Sequence, residues 1–303
     1  MHKYGKILIV DEAHGAHLSF FNRWGTQGAC GMPTAAEHAG ADIVVVSVHK
    51  TLASLTQSAV LLLTSDRVGP YILEDKLQSI ESSSPSYILM ASLDINASLL
   101  EEHGPLLIRE WEDNLRFFYE QSKSISGLQV IHPMAGFDWS KLNFDLGLYG
   151  GDLEKILTEK YGIFIELYSG ALVMCMTGIG NTRSHLEKLI DALSEIAADT
   201  AVQEKIRQRD EALKKGAASK TDQSWLASHA EIFDIPAVKQ RTPLLQAEGL
   251  ICASSIIPYP PGIPLVCPGE KLTAETIKHI KKLRDDGDKV IGINEAGEIL
   301  TGS

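Results

Sequence analysis

The chain has 303 residues, of which 44% are hydrophobic and 22% are charged, and its formal net charge is −11 at pH 7. This length is enough for two or three folded units, each with its own core. The acidic balance would repel a phosphate backbone, and the four cysteines form no C-x-x-C pair, so nucleic-acid partners, zinc knuckles and disulfide frameworks are not expected.

The first predicted element is a strand over residues 6–10 (KILIV), which is apolar and rich in β-branched residues, as buried parallel strands are. This apolar run is too short for the core of a signal peptide. No segment of the chain approaches the roughly 18 consecutive apolar residues of a membrane helix. We therefore expect a soluble, cytoplasmic protein without a membrane partner.

A helix and a second strand are predicted next. Residues 33–39 are expected to be helical up to Gly40, and residues 42–48 (DIVVVSV) form the strand. The distance along the chain from Asp11 to Lys50 is close to the length of one βαβ unit, so both should lie at the same edge of a parallel sheet. That edge is where open α/β sheets bind ligands.

The rest of the pattern divides the chain into three parts, residues 1–128, 129–199 and 200–303. The further elements expected from apolar spacing are strands at 58–63, 142–148, 164–167 and 171–176, and helices at 93–127, 151–161, 181–198, 204–220 and from 273 onwards. The middle part therefore predicts a small α+β domain, and the third a linker helix followed by a further unit.

The string Asp11-Glu12-Ala13-His14, directly after the first strand, allows two interpretations. In a nucleotide-hydrolysing helicase the acid would hold Mg²⁺, but that chemistry needs a G-x-x-x-x-G-K-[ST] phosphate loop, and the sequence contains none. In a pyridoxal-phosphate (PLP) enzyme, a carboxylate at a strand end binds the cofactor's pyridinium nitrogen. The lysine of Ser47-Val48-His49-Lys50-Thr51 favours PLP, because a charged lysine at a buried strand end is costly and a Schiff base removes its charge.

Together these motifs resemble the fold-type-I PLP-dependent ornithine/lysine/arginine decarboxylases. The similar segments are IVDEAHGAH at 9–17, GADIVV at 40–45, S-x-HKTL at 47–52, the serine-rich stretch and helix start at 82–94, and PYPPGIP with PGE at 258–270. The resemblance implies an α/β fold: a partial PLP-transferase-like large domain with a mainly parallel sheet at 1–128, a small α+β domain at 129–199, and a C-terminal decarboxylase domain within 200–303.

The resemblance implies roles for six residues. Lys50 would form the Schiff base, Asp11 would bind the pyridine nitrogen, Ala13 would pack on the ring, His14 would lie near the ring's phenolic oxygen or the substrate carboxylate, and Ser47 and His49 would reach the phosphate. Lys50 and His14 would thus be catalytic. No third ligand accompanies His14 and His17, so no metal site is expected, and His17 is expected to be an ordinary polar loop residue.

Two further segments receive roles from the same resemblance. The serine-rich stretch Ser82 to Ser86 would contact the phosphate across a dimer interface, and Glu166 would meet a substrate ammonium at the rim of the pocket. For both, an ordinary surface position is the alternative, since a serine-rich loop and an edge carboxylate need no function.

The implied reaction is the decarboxylation of arginine, lysine or ornithine to a polyamine-type amine and CO₂ by a homodimer or higher oligomer. In the family, βα units amounting to roughly 100 to 150 residues precede this point. We therefore expect one of three situations: a split or truncated gene, a true start upstream of Met1, or another polypeptide that supplies the first half. Two alternatives stay open: a non-catalytic truncated paralogue that acts through dimerisation, and another PLP reaction such as transamination.

Overall fold

The computed structural model describes residues 1–26, 31–215, 231–259, 262–285 and 288–302. It has helices and both parallel and antiparallel strands, which confirms the expected α/β class. The chain divides into two compact units, Met1–Glu166 with Ala171–Glu204, and Leu167–Gly170 with Lys205–Ser303. The boundary predicted near residue 128 stays a prediction. In the described ranges, no helix is both long and apolar enough to cross a bilayer.

The first sheet of unit 1 contains β1 (Ile9–Asp11), β2 (Ile43–Val46) and β3 (Val60–Leu63), in that order. β1 and β2 are parallel, as predicted, whereas β3 runs antiparallel to β2. Apolar periodicity does not encode strand direction, so this reversal could not be predicted from it. β2 is the central strand and its valines are packed in the core, whereas β1 lies at the edge of the sheet with Ile9 64% exposed.

Four helices accompany this sheet: α1 (Leu18–Trp24), α2 (Val48–Thr51), α3 (Pro70–Gln78) and α4 (Tyr87–Gln121). The long helix predicted at 93–127 corresponds to α4, which begins six residues earlier. Ser86 caps its N-terminus, because the Ser86 hydroxyl accepts a hydrogen bond from Leu89 N at 3.4 Å.

The helix predicted at 33–39 is wrong, because residues 36–40 form turns instead. Side chains bind three backbone groups at the start of this segment. The Asn22 amide donates to Pro33 O at 3.1 Å and accepts from Ala35 N at 3.0 Å, and the Glu12 carboxylate accepts from Ala36 N at 3.1 Å. Of these groups a helix would have used only the Pro33 carbonyl, because the first N–H groups of a helix have no partner within it, and the segment forms a capped turn that does not continue.

The second sheet of unit 1 has β5 (Lys141–Asp145) between β4 (Gln129–Val130) and β7 (Leu172–Met176), and both neighbours are antiparallel to it. Strand β6 (Leu167–Ser169), which lies between β5 and β7 along the chain and in the segment assigned to unit 2, begins later than the predicted 164–167. Helices α5 (Gly150–Tyr161) and α6 (Arg183–Ala198) match their predicted positions within two residues. Trp111, Phe118 and Phe144 are fully buried beside this sheet and close its core.

The predicted linker helix at 204–220 corresponds to α7 (Thr200–Lys215), which begins four residues earlier. Residues 216–220 of that prediction lie outside the described ranges. Unit 2 then contains two small antiparallel sheets. One has the strand order β8 (Gln240–Pro243), β12 (Glu298–Gly302), β9 (Ile251–Cys252). The other pairs β10 (Ile257–Tyr259) with β11 (Lys289–Ile291). Its helix α8 (Ala274–Asp285) packs Ile277 and Ile280 into the core of this unit.

Candidate active site

The carboxyl ends of β1 and β2 bring the predicted aspartate and lysine to one edge of the sheet. Asp11 ends β1 opposite Val45, and Glu12 N donates to Val45 O at 2.8 Å. Lys50 follows β2 by four residues, in the short helix α2, and is half-buried. The parallel register therefore places an amine and a carboxylate at neighbouring strand ends, as the sequence predicts. Asp11 is exposed because β1 is the edge strand.

His14 lies in the loop after β1, and its imidazole is 40% exposed. Its Nε2 is 4.0 Å from Glu166 Oε1. Burial lowers the pKa of His14, and the positive charges of Lys50 and Lys141 lower it further against the opposing effect of Glu166 and Asp11. His14 is therefore held as a neutral imidazole among two lysines and two carboxylates.

Three other predicted residues surround this cluster. Ala13 N donates to Asp11 Oδ1 at 3.0 Å, which turns the chain directly after the strand. The His49 ring is anchored by Nδ1, 2.9 Å from Ser58 O. Because a carbonyl only accepts, Nδ1 carries the hydrogen of this bond. Ser47 and His49 are half-buried and precede Lys50 on the same turn.

The groups at this edge match the chemistry of PLP. An amine is available for the aldehyde, a carboxylate for the pyridine nitrogen, a neutral imidazole for the ring, and a hydroxyl with a second imidazole for the phosphate. In the part of the chain that the structure describes, no group of three histidine, cysteine or acidic side chains could hold a metal ion.

One buried cluster was missed by the sequence analysis. His17, expected to be an ordinary loop residue, is fully buried: its Nε2 lies 3.2 Å from Asp138 Oδ1 and 3.1 Å from Ser140 Oγ. Lys141, at the start of β5, lies 3.1 Å from Asp138 Oδ2. His17 and its partners Asp138 and Ser140 are more than 120 residues apart along the chain. The sequence indicates the cluster only through Lys141, a charged residue at the start of the segment KLNFDL.

The end of α2 contacts the loop that follows β7. Ile179 N donates to Thr51 O at 2.9 Å, and a Cβ atom on Gly178 would lie 3.1 Å from the same carbonyl oxygen. Backbone from the loop after β7 therefore fixes the turn that carries Lys50.

Family models and curated proteins match most of the chain. Residues 1–136 match the family model of the Orn/Lys/Arg decarboxylase major domain, and residues 215–295 match that of the C-terminal domain, together more than half of the chain. The arginine decarboxylase of Bacillus subtilis (strain 168) is 31% identical over 96% of this chain, and that of Bacillus anthracis is 29% identical over 96%. In both cases the chain spans only 58% of the relative's length.

Two solved structures share the fold. The constitutive lysine decarboxylase of E. coli superposes with a TM-score of 0.76 at 19% identity, over 97% of this chain and 54% of that protein. Lysine decarboxylase A from Pseudomonas aeruginosa gives a TM-score of 0.73 at 17% identity, over 98% and 53%. At these identities the likeness shows the fold alone.

Proposed function

The chain belongs to the Orn/Lys/Arg decarboxylase family, and from this premise we propose that it carries the cofactor-attachment half of a PLP-dependent decarboxylase of a basic amino acid. One observation carries the proposal: Asp11, His14 and Lys50 meet at the carboxyl ends of two parallel strands.

Each residue has a separate task in this proposal. Lys50 attaches the cofactor, with Ser47 and His49 at its phosphate, and Ala13 packs on its ring. Asp11 holds a proton at the pyridine nitrogen. Bound PLP supplies an electron sink that stabilises negative charge at the substrate's Cα once CO₂ has left. Lys50, or His14 after it has bound a proton from solvent, would then deliver a proton to Cα.

Glu166 is the carboxylate best placed to meet a cationic group of the substrate. It lies 4.0 Å from His14 and is about one third exposed, so it borders the cluster without being buried in it. The guanidinium or ammonium group of a basic substrate would form an ion pair with this carboxylate. Because the sequence relatives are arginine decarboxylases, arginine is the substrate to test first, with lysine and ornithine beside it.

A second copy of the chain is the proposed partner at the start of α4. Helix α3 has no buried residue, and the neighbouring apolar side chains are more than half exposed: Tyr71, Ile80, Tyr87, Ile88, Met90 and Ile95. Large exposed apolar side chains grouped along one stretch of the chain are what a protein interface would bury. Dimerisation here would place Ser82 to Ser86 inside the interface. A cytoplasmic location stays a prediction.

Reduction of the PLP-treated protein with borohydride, followed by peptide mapping, tests the attachment site. We expect the pyridoxyl group on Lys50, because among the lysines that the structure describes it alone follows a parallel strand beside Asp11. A Lys50→Ala variant should lose the label, and Lys3→Ala, at the exposed N-terminus, should keep it.

A label on Lys3 or Lys6 in place of Lys50 would contradict the proposal. A label on Lys50 without CO₂ release, even when a polypeptide for the remainder of the enzyme is supplied, would favour the non-catalytic alternative. Amino transfer to a keto acid would favour transamination.

A further inference from the structure

The buried cluster below His14 has no task in the chemistry proposed above. It consists of His17, Asp138, Ser140 and Lys141, all of which are buried or nearly so, with His17 and Ser140 fully inaccessible to solvent. It connects the loop after β1 with the start of β5. These segments are far apart in the sequence, and both belong to unit 1.

Lys141 has an acceptor for each of its three N–H groups. Its Nζ lies 3.1 Å from His14 O, 3.2 Å from Ser140 Oγ and 3.1 Å from Asp138 Oδ2. An ammonium so completely bonded is fixed in place, and so is the carbonyl that it binds. The backbone at His14 is therefore held by a side chain from the second sheet.

Asp138 secures the other end of the same loop. Its Oδ1 accepts from Ser140 Oγ at 2.6 Å and lies 3.2 Å from His17 Nε2. Burial lowers the pKa of His17, so the imidazole is neutral and donates from Nε2. The charged pair is thus Lys141 with Asp138, and it holds the loop at both His14 and His17.

A buried ion pair is seldom the most stabilising choice at its position, because apolar side chains of similar size often stabilise as well or better. A reason to keep such a pair is that it fixes one conformation of the backbone that it binds. Here it holds the loop that carries His14, whose imidazole lies 4.0 Å from Glu166 and within the electrostatic influence of Lys50.

We propose that Lys141 is a positioning residue: held by Asp138, it fixes the backbone at His14 and thereby keeps the His14 imidazole beside Lys50 and Glu166. This rests on the proposed function in so far as His14 serves the cofactor and substrate. The charge of Lys141 also acts on the ring. The charged groups that face His14 are Lys50, Lys141, Glu166 and Asp11, and Lys141 is one of the two that favour the neutral form.

Hydrogen–deuterium exchange of the full chain measures the positioning directly. In Lys141→Met the amides of residues 12–18 should exchange about tenfold faster, because local opening of the loop is no longer opposed, while those of β7 keep their rates. The matched control is Lys123→Met. Lys123 is an exposed lysine of the same unit, 57% accessible, and its loss should change neither region.

The titration of His14, followed by NMR of labelled histidine and assigned with His14→Gln, is the second measurement. Lys141→Met should raise the pKa of His14, because a positive neighbour is removed. Lys141→Arg keeps the charge but not the three-acceptor geometry, so the pKa should stay low while residues 12–18 still exchange faster.

In the PLP-loaded protein completed with its remaining half, both variants should lower kcat for decarboxylation by about tenfold with little change in KM. Unchanged exchange in both Lys141 variants would overturn the proposal. Failure of both to fold would also overturn it, because Lys141 would then be a general stability residue. If Lys50 takes up no cofactor, the proposed function fails, but exchange and titration still decide the role of Lys141.

Discussion

Asp11 and Lys50 are the residues whose positions the sequence predicted best. Asp11 ends β1 and Lys50 lies four residues after β2, and parallel pairing of those strands brings their ends together without further information. His14 follows from its place three residues after Asp11. The partners of His14 are different: Lys141 opens β5 and Glu166 lies just before β6, and only tertiary folding decides which side chains reach the loop.

Replacing Asp11 by Asn should separate cofactor binding from catalysis. An amide cannot hold the pyridine nitrogen protonated, so decarboxylation by the protein completed with its remaining half should fall about 100-fold or more. Cofactor absorbance should persist, because Lys50 is untouched. The control is Asp94→Asn, which changes an exposed carboxylate on α4. Near-normal turnover of Asp11→Asn would mean that Asp11 only supports the turn through Ala13.

At the scale of secondary-structure elements, the observed helices agree with the apolar spacing where that spacing is long and differ from it in short segments. Helix α4 and helices α5 and α6 were predicted, because their apolar spacing extends over three turns or more. The short helices α1, α2 and α3 were not. The segment before β2 shows the same limit, because over a single turn apolar spacing does not distinguish a helix from a hydrogen-bonded turn.

Asp42 joins the three strands of the first sheet and should govern the acid stability of unit 1. Its carboxylate accepts from Ser65 Oγ at 2.6 Å and from Leu8 N at 2.8 Å, and lies 2.7 Å from His2 Nε2. These bonds lower the pKa of Asp42 to about 2. Since the folded-state pKa is below the ordinary value, the stabilisation is complete above about pH 4 and is lost as the pH falls towards 2.

Asp42→Asn should therefore lower the thermal midpoint at pH 7, by about 4 °C, and the difference from the natural chain should shrink as the pH is lowered below 4. Thermal unfolding followed by circular dichroism at several pH values measures this. Asp66→Asn, an exposed acid nearby, is the control. A difference that stays constant down to pH 2 would show that the carboxylate's charge is not the cause.

For the whole molecule, the decisive feature is the free edge of β1. This strand pairs with β2 on one side only, and its apolar residues face solvent, with Ile7 37% and Ile9 64% exposed. Unpaired apolar strand edges invite association. The chain also spans 58% of its curated relatives, so a complete active site is a property proposed for a larger assembly.

We expect the purified 303-residue chain to release negligible CO₂ from arginine, lysine or ornithine and to aggregate readily. A further strand on β1 would cover both the apolar edge and the exposed Asp11, so activity should appear on co-expression with a polypeptide equivalent to the unmatched part of the relatives. Radiolabelled CO₂ capture measures the rate. Release by the chain alone at about 1 s⁻¹ or faster would contradict this expectation.

The close approach of Gly178 to Thr51 has a consequence for sequence variation. A Cβ atom at position 178 would lie 3.1 Å from the carbonyl oxygen that ends α2, so that oxygen or the loop would have to move by a few tenths of an ångström to admit a side chain. The turn that would move is the one that carries Lys50. A mutational scan should therefore find that substitutions at position 178 act through Lys50 and resemble catalytic defects, although this position lies on the loop after β7.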